Sequence, residues 1–405
     1  MKIVIVNSFY YPDEPGGAER SVRILAESLV GVGHDVSVIC LGAERATAQI
    51  GGVAVTRLPI RNSYLPSAHG SDRATMQRLV WHARDTYNSA AAADVAALLH
   101  QFRPDVLHTN NLSGFSVAVW RAARQLGIRI VHTTRDFYLL CPRTTMMRGG
   151  LVCEGPCRSC FPFVWHRRNA SSQVDHLVGI SQFMVALHRR NGYFRDVPAT
   201  VIYNPYDPPS TLVPPPTKGH AGIVLGYLGR LAPSKGLELL IDAFMLVNRR
   251  HAGSRLLIAG SGANDYVTGL QRRALDASVE FVGQMSPENF FPMVDVTVVP
   301  SVWNEPLGRV VIESFAFARP VVATPVGGIP ELIRGAAGTM ARSTTADDLA
   351  SAISAQIGQD ASIAREAAAE EAKRFTSRVL VDNYDNVYRG VHAGMIRRKS
   401  SQPTH

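Results

Sequence analysis

Short apolar segments alternate with amphipathic helical segments along nearly the whole chain, and this alternation limits the fold more than any other feature. An amphipathic stretch at 18–32 lies between the first two apolar runs. Strands separated by helices pair in parallel, because each connection crosses back over a face of the sheet. The apolar runs of the N-terminal half lie at 3–6, 35–40, 105–108, 128–133 and 177–181. This pattern predicts an α/β fold with a doubly wound sheet.

A proline-rich stretch at 204–217 divides the chain, because proline at this density excludes both helix and central strand. A second series of apolar runs follows it, at 223–228, 255–259, 279–282, 294–300 and 321–323. A length of 405 residues also favours two or three domains. We therefore expect an N-terminal domain at 1–205, a linker at 206–220, a C-terminal domain at 221–375, a closing amphipathic helix at 376–396 and a disordered tail at 397–405.

The amino-acid composition limits the classes of protein to which this chain can belong. Hydrophobic residues make up 46% of the chain and charged residues 19%, which allows buried cores and excludes a disordered polyelectrolyte. No apolar run approaches the length of a membrane span, and Met1-Lys2 leads straight into an apolar strand rather than a signal peptide. We therefore expect a cytoplasmic protein.

The net charge of +9 implies attraction for anions, which could be nucleic acid, anionic lipid or a phosphorylated small molecule. No basic stripe is interleaved with aromatic residues, so we expect no nucleic-acid partner. Arginines are spread through 57–84, 121–148 and 167–168. This distribution fits either an N-terminal half that contacts an anionic surface, such as the inner face of a membrane, or a solvated basic face.

Two carboxylates, Glu305 and Glu313, flank what the sequence indicates is the start of a helix. Pro306 suits the first helical position, and the backbone amides that follow it would lack intrahelical partners. Such amides bind anions. They belong to Leu307, Gly308, Arg309 and Val310. The two carboxylates would accept hydrogen bonds from hydroxyls, and the amides between them would donate to phosphates. This is the order of groups in a sugar nucleotide.

A second candidate phosphate site follows the first apolar run of the C-terminal half. The sequence Gly-Arg-Leu-Ala-Pro-Ser-Lys-Gly places Arg230 and Lys235 just after this run. A guanidinium can donate hydrogen bonds to two phosphate oxygens at once, and a lysine adds a second positive charge. Near the N-terminus, Gly16 and Gly17 open a helix, where backbone can closely approach a ligand.

The Glu-x7-Glu and Gly-Arg-x4-Lys-Gly elements resemble the signatures of the retaining glycosyltransferases of family 4, which have the GT-B fold. The resemblance covers nearly the whole chain. It implies two Rossmann-like, doubly wound domains facing a central cleft, with the acceptor bound by the N-terminal domain and the donor by the C-terminal domain. It also implies that the last helix crosses back to the N-terminal domain.

The resemblance implies roles for the acidic and basic residues of both motifs. Glu305 would hold hydroxyls of the donor sugar, and Glu313 would hold the nucleotide ribose. Arg230, Lys235 and the helix amides would bind the pyrophosphate.

Loops that resemble those of the family complete the implied donor site. Family members hold the base largely through backbone at two strand ends, which in this chain contain Gly260 and Val282. The loop with Gly16 and Gly17 would lie against the donor phosphate and the acceptor. The loop at 325–331 would support the donor pocket.

The chain departs from the family at the end of one N-terminal strand. Many relatives have a His-Asp pair there, with the histidine touching the donor sugar, whereas this chain has Arg135-Asp136. Either Arg135 takes that place or His132 reaches in from the strand; alternatively, His132 is a satisfied core imidazole. Asp136 is a candidate for binding an acceptor hydroxyl or orienting Arg135.

Four cysteines lie within a short insertion at 141–160: Cys141, Cys153, Cys157 and Cys160. A reducing cytoplasm disfavours disulfides, and tetrahedral zinc is the natural partner of four thiolates. A subset of family 4 resembles this segment. The candidates are a structural zinc site, unligated thiols or an iron–sulfur cluster, and any metal would be structural because the family chemistry requires no cofactor.

The resemblance therefore implies a retaining hexosyltransferase. Its donor would be a nucleoside-diphosphate sugar with UDP or GDP as the carrier, and its acceptor a hydroxyl of a glycan, a lipid-linked molecule or a small molecule. The alternatives are a nucleotide-sugar epimerase or hydrolase of the same fold, and a non-catalytic protein that binds sugar nucleotides or a membrane surface. The candidate catalytic residues are Glu305, Arg230, Lys235, Arg135, His132 and Asp136.

Overall fold

The computed structural model describes residues 1–14, 16–66, 74–208, 222–275 and 278–395. They form two compact units: Met1–Asn204 together with the chain from Ser377 onward, and Pro205–Thr376. Most of the expected linker, from 209 to 220, lies outside the described residues, as does the expected tail at 397–405.

The described part of the N-terminal unit contains a sheet of eight strands. Its strands and those of a small hairpin are β1 (Lys2–Val6), β2 (Asp35–Gly42), β3 (Ala46–Ile50), β4 (Val53–Pro59), β5 (Val106–Thr109), β6 (Arg129–Thr134), β7 (Met147–Arg148), β8 (Leu151–Val152), β9 (His176–Gly179) and β10 (Ala199–Val201). The sheet order is β10-β9-β6-β5-β1-β2-β4-β3, and β7 pairs with β8 apart from it. Only β3, antiparallel to β4, breaks the parallel arrangement of the described sheet.

Helices cover this sheet: α1 (Gly17–Gly31), α2 (Thr75–Thr86), α3 (Ser89–Phe102), α4 (Ala118–Gln125), α5 (Phe161–Ala170) and α6 (Gln182–Arg190). In α1, the buried Val22, Leu25, Ala26 and Leu29 recur every three or four residues and form one apolar face. This face packs in the same core as Ile3 of β1. Burying each large aliphatic side chain contributes roughly 1.5–3 kcal/mol to folding.

The C-terminal unit contains a second sheet, and every strand pair in its described part is parallel. Its strands are β11 (Val224–Leu228), β12 (Arg255–Ala259), β13 (Val279–Gly283), β14 (Val296–Val299), β15 (Val321–Ala323) and β16 (Gly338–Met340), in the order β13-β12-β11-β14-β15-β16. Its helices are α7 (Leu237–Arg250), α8 (Asn264–Arg273), α9 (Pro287–Phe290), α10 (Arg309–Ala316), α11 (Ala346–Ile357) and α12 (Ala361–Ala372).

The last helix, α13 (Ser377–His392), packs in the N-terminal unit. Its buried Leu380, Tyr384 and Tyr388 belong to the same core as α1. The Tyr388 hydroxyl hydrogen-bonds to His108 Nδ1 at 2.8 Å, and the Tyr384 hydroxyl to Thr133 Oγ1 at 2.9 Å. These bonds satisfy buried polar groups on β5 and β6.

The predicted α/β class, with two doubly wound parallel sheets, is confirmed. In parallel sheets of this kind, ligands bind beyond the carboxyl ends of the strands, and both clusters described below lie there. None of the described helices is long and apolar enough to cross a membrane.

Candidate functional site

A cluster of charged and polar side chains surrounds Glu305, in the segment between β14 and α10. Glu305 is only 8% exposed, and its Oε1 accepts hydrogen bonds from Lys235 Nζ at 2.5 Å and from Ser301 Oγ at 2.8 Å. Lys235 also lies 5.5 Å from the centre of the Trp303 ring. The structure thus brings together a lysine and a glutamate that are 70 residues apart in sequence. Ser301 and Trp303 belong to this cluster, although no motif pointed to them.

The loop after β15 holds the backbone of Glu305. The Gly328 amide donates to the Glu305 carbonyl at 2.8 Å. Gly327 has φ +59°, and a Cβ atom there would lie 2.1 Å from the Glu305 carbonyl oxygen. Only glycine allows this approach, so the loop positions the carboxylate through main-chain contact.

The predicted start of the helix that follows Glu305 is wrong by three residues. Helix α10 begins at Arg309, and Pro306 and Leu307 precede it. Gly308 caps the helix with φ +93°, a left-handed conformation that interrupts a right-handed helix, and a Cβ atom there would lie 2.8 Å from Ile329 Cγ1. The first-turn amides therefore begin at Arg309 and Val310, while those of Leu307 and Gly308 belong to the preceding turn.

Glu313 lies one helical turn after Arg309, and the two side chains are paired. Arg309 Nε donates to Glu313 Oε1 at 2.6 Å, and Glu313 is 9% exposed. The Arg309 guanidinium also lies 5.9 Å from the centre of the Tyr206 ring. The ion pair holds the Glu313 carboxylate beside Arg309, the first residue of α10.

Arg230 lies in the exposed loop after β11, beside a groove of about 460 Å³. The Leu231 amide donates to the Ser261 carbonyl at 2.8 Å, which joins this loop to the loop after β12. Gly260 has φ +144°, and a Cβ atom there would lie 1.8 Å from the Gly229 carbonyl oxygen. The glycines thus allow the two loops to touch along one wall of the groove. The lining residues are Arg230, Leu231, Ala232, Pro233, Ser261, Gly262, Ala263 and Tyr266.

The strand that contains Val282 joins the same group of loops. Val282 is half-buried in β13, and the carbonyl of the next residue, Gly283, accepts from the Gly260 amide at 2.7 Å. The ends of β11, β12 and β13 are therefore linked by main-chain hydrogen bonds.

Tyr227 holds the Arg230 loop and experiences the charge of Glu305. Its hydroxyl donates to the Arg230 carbonyl at 2.8 Å. Burial, and then the negative charge of Glu305, raise the pKa of Tyr227 above its usual range, so the phenol is neutral. Sequence reasoning missed the contact made by this residue, which stands two positions before Gly229 of the Gly-Arg element.

A second cluster lies at the carboxyl ends of β5 and β6 in the N-terminal unit. Arg135 is 5% exposed and donates from Nε to Asn110 Oδ1 at 2.7 Å and from Nη1 to Asn204 Oδ1 at 2.5 Å. Its Nη2 atom, and the Nδ2 atom of Asn110, are buried without a hydrogen-bond partner among the described residues. Buried donors without acceptors are uncommon, and these two can serve a bound oxygen atom.

Two carboxylates accompany Arg135. Asp136 accepts from Asn111 Nδ2 at 2.5 Å and from the Tyr138 amide at 2.8 Å, and burial raises its pKa. Glu19, in the first turn of α1, is 7% exposed. Burial raises the pKa of Glu19; the charge of Asp136 also raises it, whereas that of Arg135 lowers it. Glu19 therefore experiences the charges of Arg135 and Asp136, and Gly16 and Gly17 open the helix that carries Glu19.

His132 lies in the core, not at this site. It is 2% exposed, its Nδ1 hydrogen-bonds to Thr109 Oγ1 at 2.9 Å, and its ring packs against Trp120 and Phe194 at 5.0 and 5.8 Å. Burial lowers its pKa to about 3, so the imidazole is neutral. Of the two alternatives for this edge, the structure brings Arg135 to the site and keeps His132 within the sheet layer.

The four cysteines give no support to a zinc site. Among the described residues, no group of three or more His, Cys, Asp or Glu side chains is arranged to hold a metal ion. Cys157 Sγ lies 3.3 Å from Cys160 Sγ, closer than the about 3.8 Å between two sulfurs bound tetrahedrally at 2.3 Å from zinc. Cys141 is buried and Cys153 half-buried, and all four thiols are free.

Comparison with known proteins identifies relatives of both halves of the chain. Residues 16–205 match the family model of the glycosyl transferase 4-like domain, and residues 222–359 match that of glycosyl transferases group 1. An uncharacterized 42.6 kDa protein in the cps region of Klebsiella pneumoniae is 35% identical over 338 residues, which cover 82% of this chain and 88% of that protein.

Solved structures with the same fold are more distant in sequence. Sucrose-phosphate synthase from Thermosynechococcus elongatus has a TM-score of 0.72 at 20% identity, over 97% of this chain and 99% of that chain. HepE from Anabaena in complex with UDP has a TM-score of 0.71 at 20% identity, over 96% of this chain and 100% of that chain. HepE has also been solved in complex with UDP-glucose. At this identity the likeness shows the fold alone.

Proposed function

Because this chain belongs to the group 1 glycosyl transferases and has their GT-B fold, we propose that it transfers a sugar from a nucleoside-diphosphate sugar to a hydroxyl acceptor, with retention of anomeric configuration. The contact between Lys235 Nζ and Glu305 Oε1 carries the proposal, since it joins a cation suited to phosphate with a carboxylate suited to sugar hydroxyls. Both lie at the carboxyl edge of a parallel sheet.

The donor diphosphate binds between Arg230, Lys235 and the first turn of α10. Arg230 is exposed beside the groove and can engage two phosphate oxygens, while Lys235 supplies a compact second charge. The amides of Arg309 and Val310 add the positive end of the helix. These groups stabilise the charge that develops on the leaving diphosphate, which is the help that other enzymes take from a divalent metal. HepE, which has the same fold, was solved in complex with UDP and with UDP-glucose, and this supports UDP as the carrier over the alternative, GDP.

Glu305 and Glu313 bind the two remaining parts of the donor, the sugar and the ribose. Glu305 accepts hydrogen bonds from sugar hydroxyls, and its present partners Lys235 and Ser301 hold it in position. Glu313, held by Arg309, accepts from the ribose hydroxyls. The carboxylates are thereby kept from rotating into unproductive orientations.

Transfer takes place on one face of the sugar. The bond from the anomeric carbon to the diphosphate oxygen breaks, the acceptor oxygen bonds to the same face, and the acceptor proton passes to the departing phosphate oxygen. This geometry retains the anomeric configuration without a carboxylate nucleophile.

The acceptor binds in the N-terminal unit beside Arg135, Asp136 and Glu19. The unpartnered Nη2 of Arg135 and Nδ2 of Asn110 donate to acceptor oxygens, and the two carboxylates accept from hydroxyls. The protein works in the cytoplasm, in peripheral contact with the inner face of a membrane.

Purified protein incubated with a panel of UDP- and GDP-sugars, with and without glycan and lipid-linked acceptors, tests this function by mass spectrometry. We expect a product one sugar heavier than one acceptor, and its loss in Glu305→Gln. Donor consumption without acceptor would indicate an epimerase or hydrolase, and tight donor binding without turnover would indicate a non-catalytic binding protein. Either outcome would replace the proposal.

A further inference from the structure

Cys157 and Cys160 form a pair of thiols at the start of α5, in a part of the N-terminal unit that the proposed chemistry does not use. Their Sγ atoms lie 3.3 Å apart. The Cys160 amide donates to the Cys157 carbonyl at 2.9 Å, so the two residues close one turn directly before the helix. Cα atoms across such a turn lie less than about 7 Å apart, and a disulfide spans about 4.4–6.8 Å. The two sulfurs can therefore bond with little movement of the backbone.

The two thiols have different environments. Cys157 is half-buried and is followed by the exposed Arg158 and Ser159. Hydrogen bonds with the Ser159 hydroxyl and the Cys160 thiol, and then with the backbone amides of these two residues, lower the pKa of Cys157 to about 7. Burial, and then the Cys157 and Cys141 thiols, raise the pKa of Cys160 to about 12. Near neutral pH, Cys157 is thus the nucleophile, and Cys160 lies in position to displace a group attached to it.

The segment around the pair is basic. Residues 141–160 include three exposed arginines, Arg143, Arg148 and Arg158, and a single acid, Glu154. A positive surface attracts small molecules that carry carboxylates. A small disulfide with carboxylates, such as glutathione disulfide, is therefore favoured here over a neutral one. In a reducing compartment, disulfides are usually transient, which fits a site of exchange rather than a structural cross-link.

We propose that Cys157 and Cys160 form a thiol–disulfide exchange site that reacts with an anionic low-molecular-weight disulfide. The Cys157 thiolate attacks one sulfur of the small disulfide, whose S–S bond breaks and releases one small thiolate. Cys157 then carries a mixed disulfide, and its negative charge no longer raises the pKa of Cys160. Cys160 loses its proton and attacks Cys157 Sγ, and the second small thiolate leaves.

The products of this exchange are a Cys157–Cys160 disulfide and two small thiols. The pair loses two electrons, which reduce the small disulfide, and the two protons of the pair end on the small thiols. The reaction needs neither a sugar donor nor turnover, so it is independent of the proposed transferase function.

Incubation of the reduced full chain with glutathione disulfide at pH 7, followed by alkylation and peptide mass spectrometry, tests the exchange. We expect a transient glutathione adduct on Cys157 and then a Cys157–Cys160 disulfide. Because trypsin cleaves after Arg158, this disulfide appears as two linked peptides. Cys40 is fully buried and should react at least about 100-fold more slowly than Cys157.

Serine variants separate the two roles. Cys160→Ser should stop at a stable mixed disulfide on Cys157, and Cys157→Ser should prevent rapid reaction at Cys160. Cys153→Ser, which removes another half-buried thiol of the same segment, is the matched control and should still form the disulfide. Slow reaction of Cys40 in each variant shows that the N-terminal unit is folded, because unfolding would expose this thiol.

The anionic preference is tested by salt. High salt should slow the reaction with glutathione disulfide and leave the reaction with the neutral hydroxyethyl disulfide unchanged. Equal salt effects on the two reagents would refute this preference. The exchange site itself would be overturned by a wild-type protein without adduct or disulfide, by a disulfide that joins Cys160 to Cys141 instead, or by a bound metal that protects the pair until a chelator is added.

Discussion

Lys235 contacts Glu305 in the C-terminal unit, so a change in either residue also changes the environment of the other. Glu305 is 8% exposed. Without Lys235, the Glu305 carboxylate would lose its ion pair and retain the hydrogen bond from Ser301 in the cluster described above. No acidic side chain among the described residues pairs with Arg230, and its loop is held through hydrogen bonds to backbone atoms. Substitutions of the two cations therefore differ in their effects.

We expect Arg230→Ala and Lys235→Ala each to weaken UDP binding by roughly 1.5–3 kcal/mol, the usual range for a hydrogen bond to a charged group. Lys235→Ala should also lower turnover by releasing the Glu305 carboxylate. Isothermal calorimetry with UDP and a transfer assay measure the two effects. Arg249→Ala, which removes an exposed arginine elsewhere in the unit, serves as control. Wild-type affinity in both variants would contradict the assignment.

Glu305→Gln and Glu313→Gln should differ in which step they impair. Glu313→Gln removes the acceptor proposed for the ribose and should reduce UDP affinity about tenfold or more. Glu305→Gln should reduce UDP affinity less than Glu313→Gln does and act mainly on transfer, because UDP lacks the sugar that Glu305 contacts and Lys235 keeps its charge. Titration of UDP into both variants decides the point, and equal losses of affinity would refute this division.

Cys157 should be the most reactive of the five thiols near neutral pH. Hydrogen bonds with the Ser159 hydroxyl and the Cys160 thiol lower its pKa to about 7, whereas burial raises the pKa of Cys40 and of Cys160 to about 12. Because the thiolate is the nucleophile, alkylation of Cys157 by iodoacetamide should increase through pH 7 and level off above about pH 8.

Peptide mass spectrometry after timed alkylation measures the rate at which iodoacetamide modifies each cysteine. A Cys157 that stays unmodified at pH 8 until a chelator is added would contradict free thiols and revive the metal site. Cys157→Ser should abolish the signal without altering the slow reaction of Cys40.

Sequence reasoning found the residues of the C-terminal cluster more completely than those of the N-terminal one. Glu305, Lys235 and Arg230 belong to contiguous motifs, so their spacing identified them. Glu19 and Asn110 were missed because they meet Arg135 only through the order of strands and helices in space. Side chains alternate between the two faces of the sheet along β6, and motif spacing alone did not show on which face His132 lies.

At the level of secondary structure, α2 and α5 are joined by the pair of Asp85 and Arg167, both fully buried. The Gly114 amide donates to Asp85 Oδ1 at 2.6 Å, and Arg167 also donates to the Tyr138 carbonyl at 2.5 Å. These bonds compensate part of the loss of hydration on burial. The pair therefore fixes how α2 and α5 pack against each other.

We expect Asp85→Ala to destabilise the protein by about 3–5 kcal/mol, because it leaves the Arg167 charge buried without its partner. Asp85→Leu/Arg167→Met should recover most of that loss, since no unpaired charge remains. Urea unfolding followed by circular dichroism measures both. A single variant as stable as wild type, or a double variant no better than the single one, would contradict this role for the pair.

The start of α10 shows where sequence rules for a single element fail. Pro306 is a good first helical residue, but the left-handed Gly308 starts the helix later. The reason is tertiary: Gly308 packs against Ile329, from the loop after β15, where a side chain would not fit. No local pattern reveals a contact with a loop that lies twenty residues further along the chain.

At the level of the whole molecule, the alternation of apolar runs was enough to predict two parallel α/β sheets. The short antiparallel β3 was not predicted, since Ala46–Ile50 is exposed and lacks an apolar run. The pattern also indicated a final amphipathic helix, and α13 contributes its apolar face to the N-terminal core. The hydrogen bonds of Tyr384 and Tyr388 to β5 and β6 need the folded structure, because their partners lie 251 and 280 residues away in sequence.

The anomeric configuration of the first product tests the proposed mechanism most directly. If Glu305 holds the sugar while Arg230 and Lys235 hold the leaving diphosphate, the acceptor attacks on the face that the diphosphate leaves. Proton NMR of the first glycoside formed from an α-linked nucleotide sugar should then show an α-linked product. A β-linked product would require attack from the opposite face by a base that none of these residues provides, and would contradict retention of configuration.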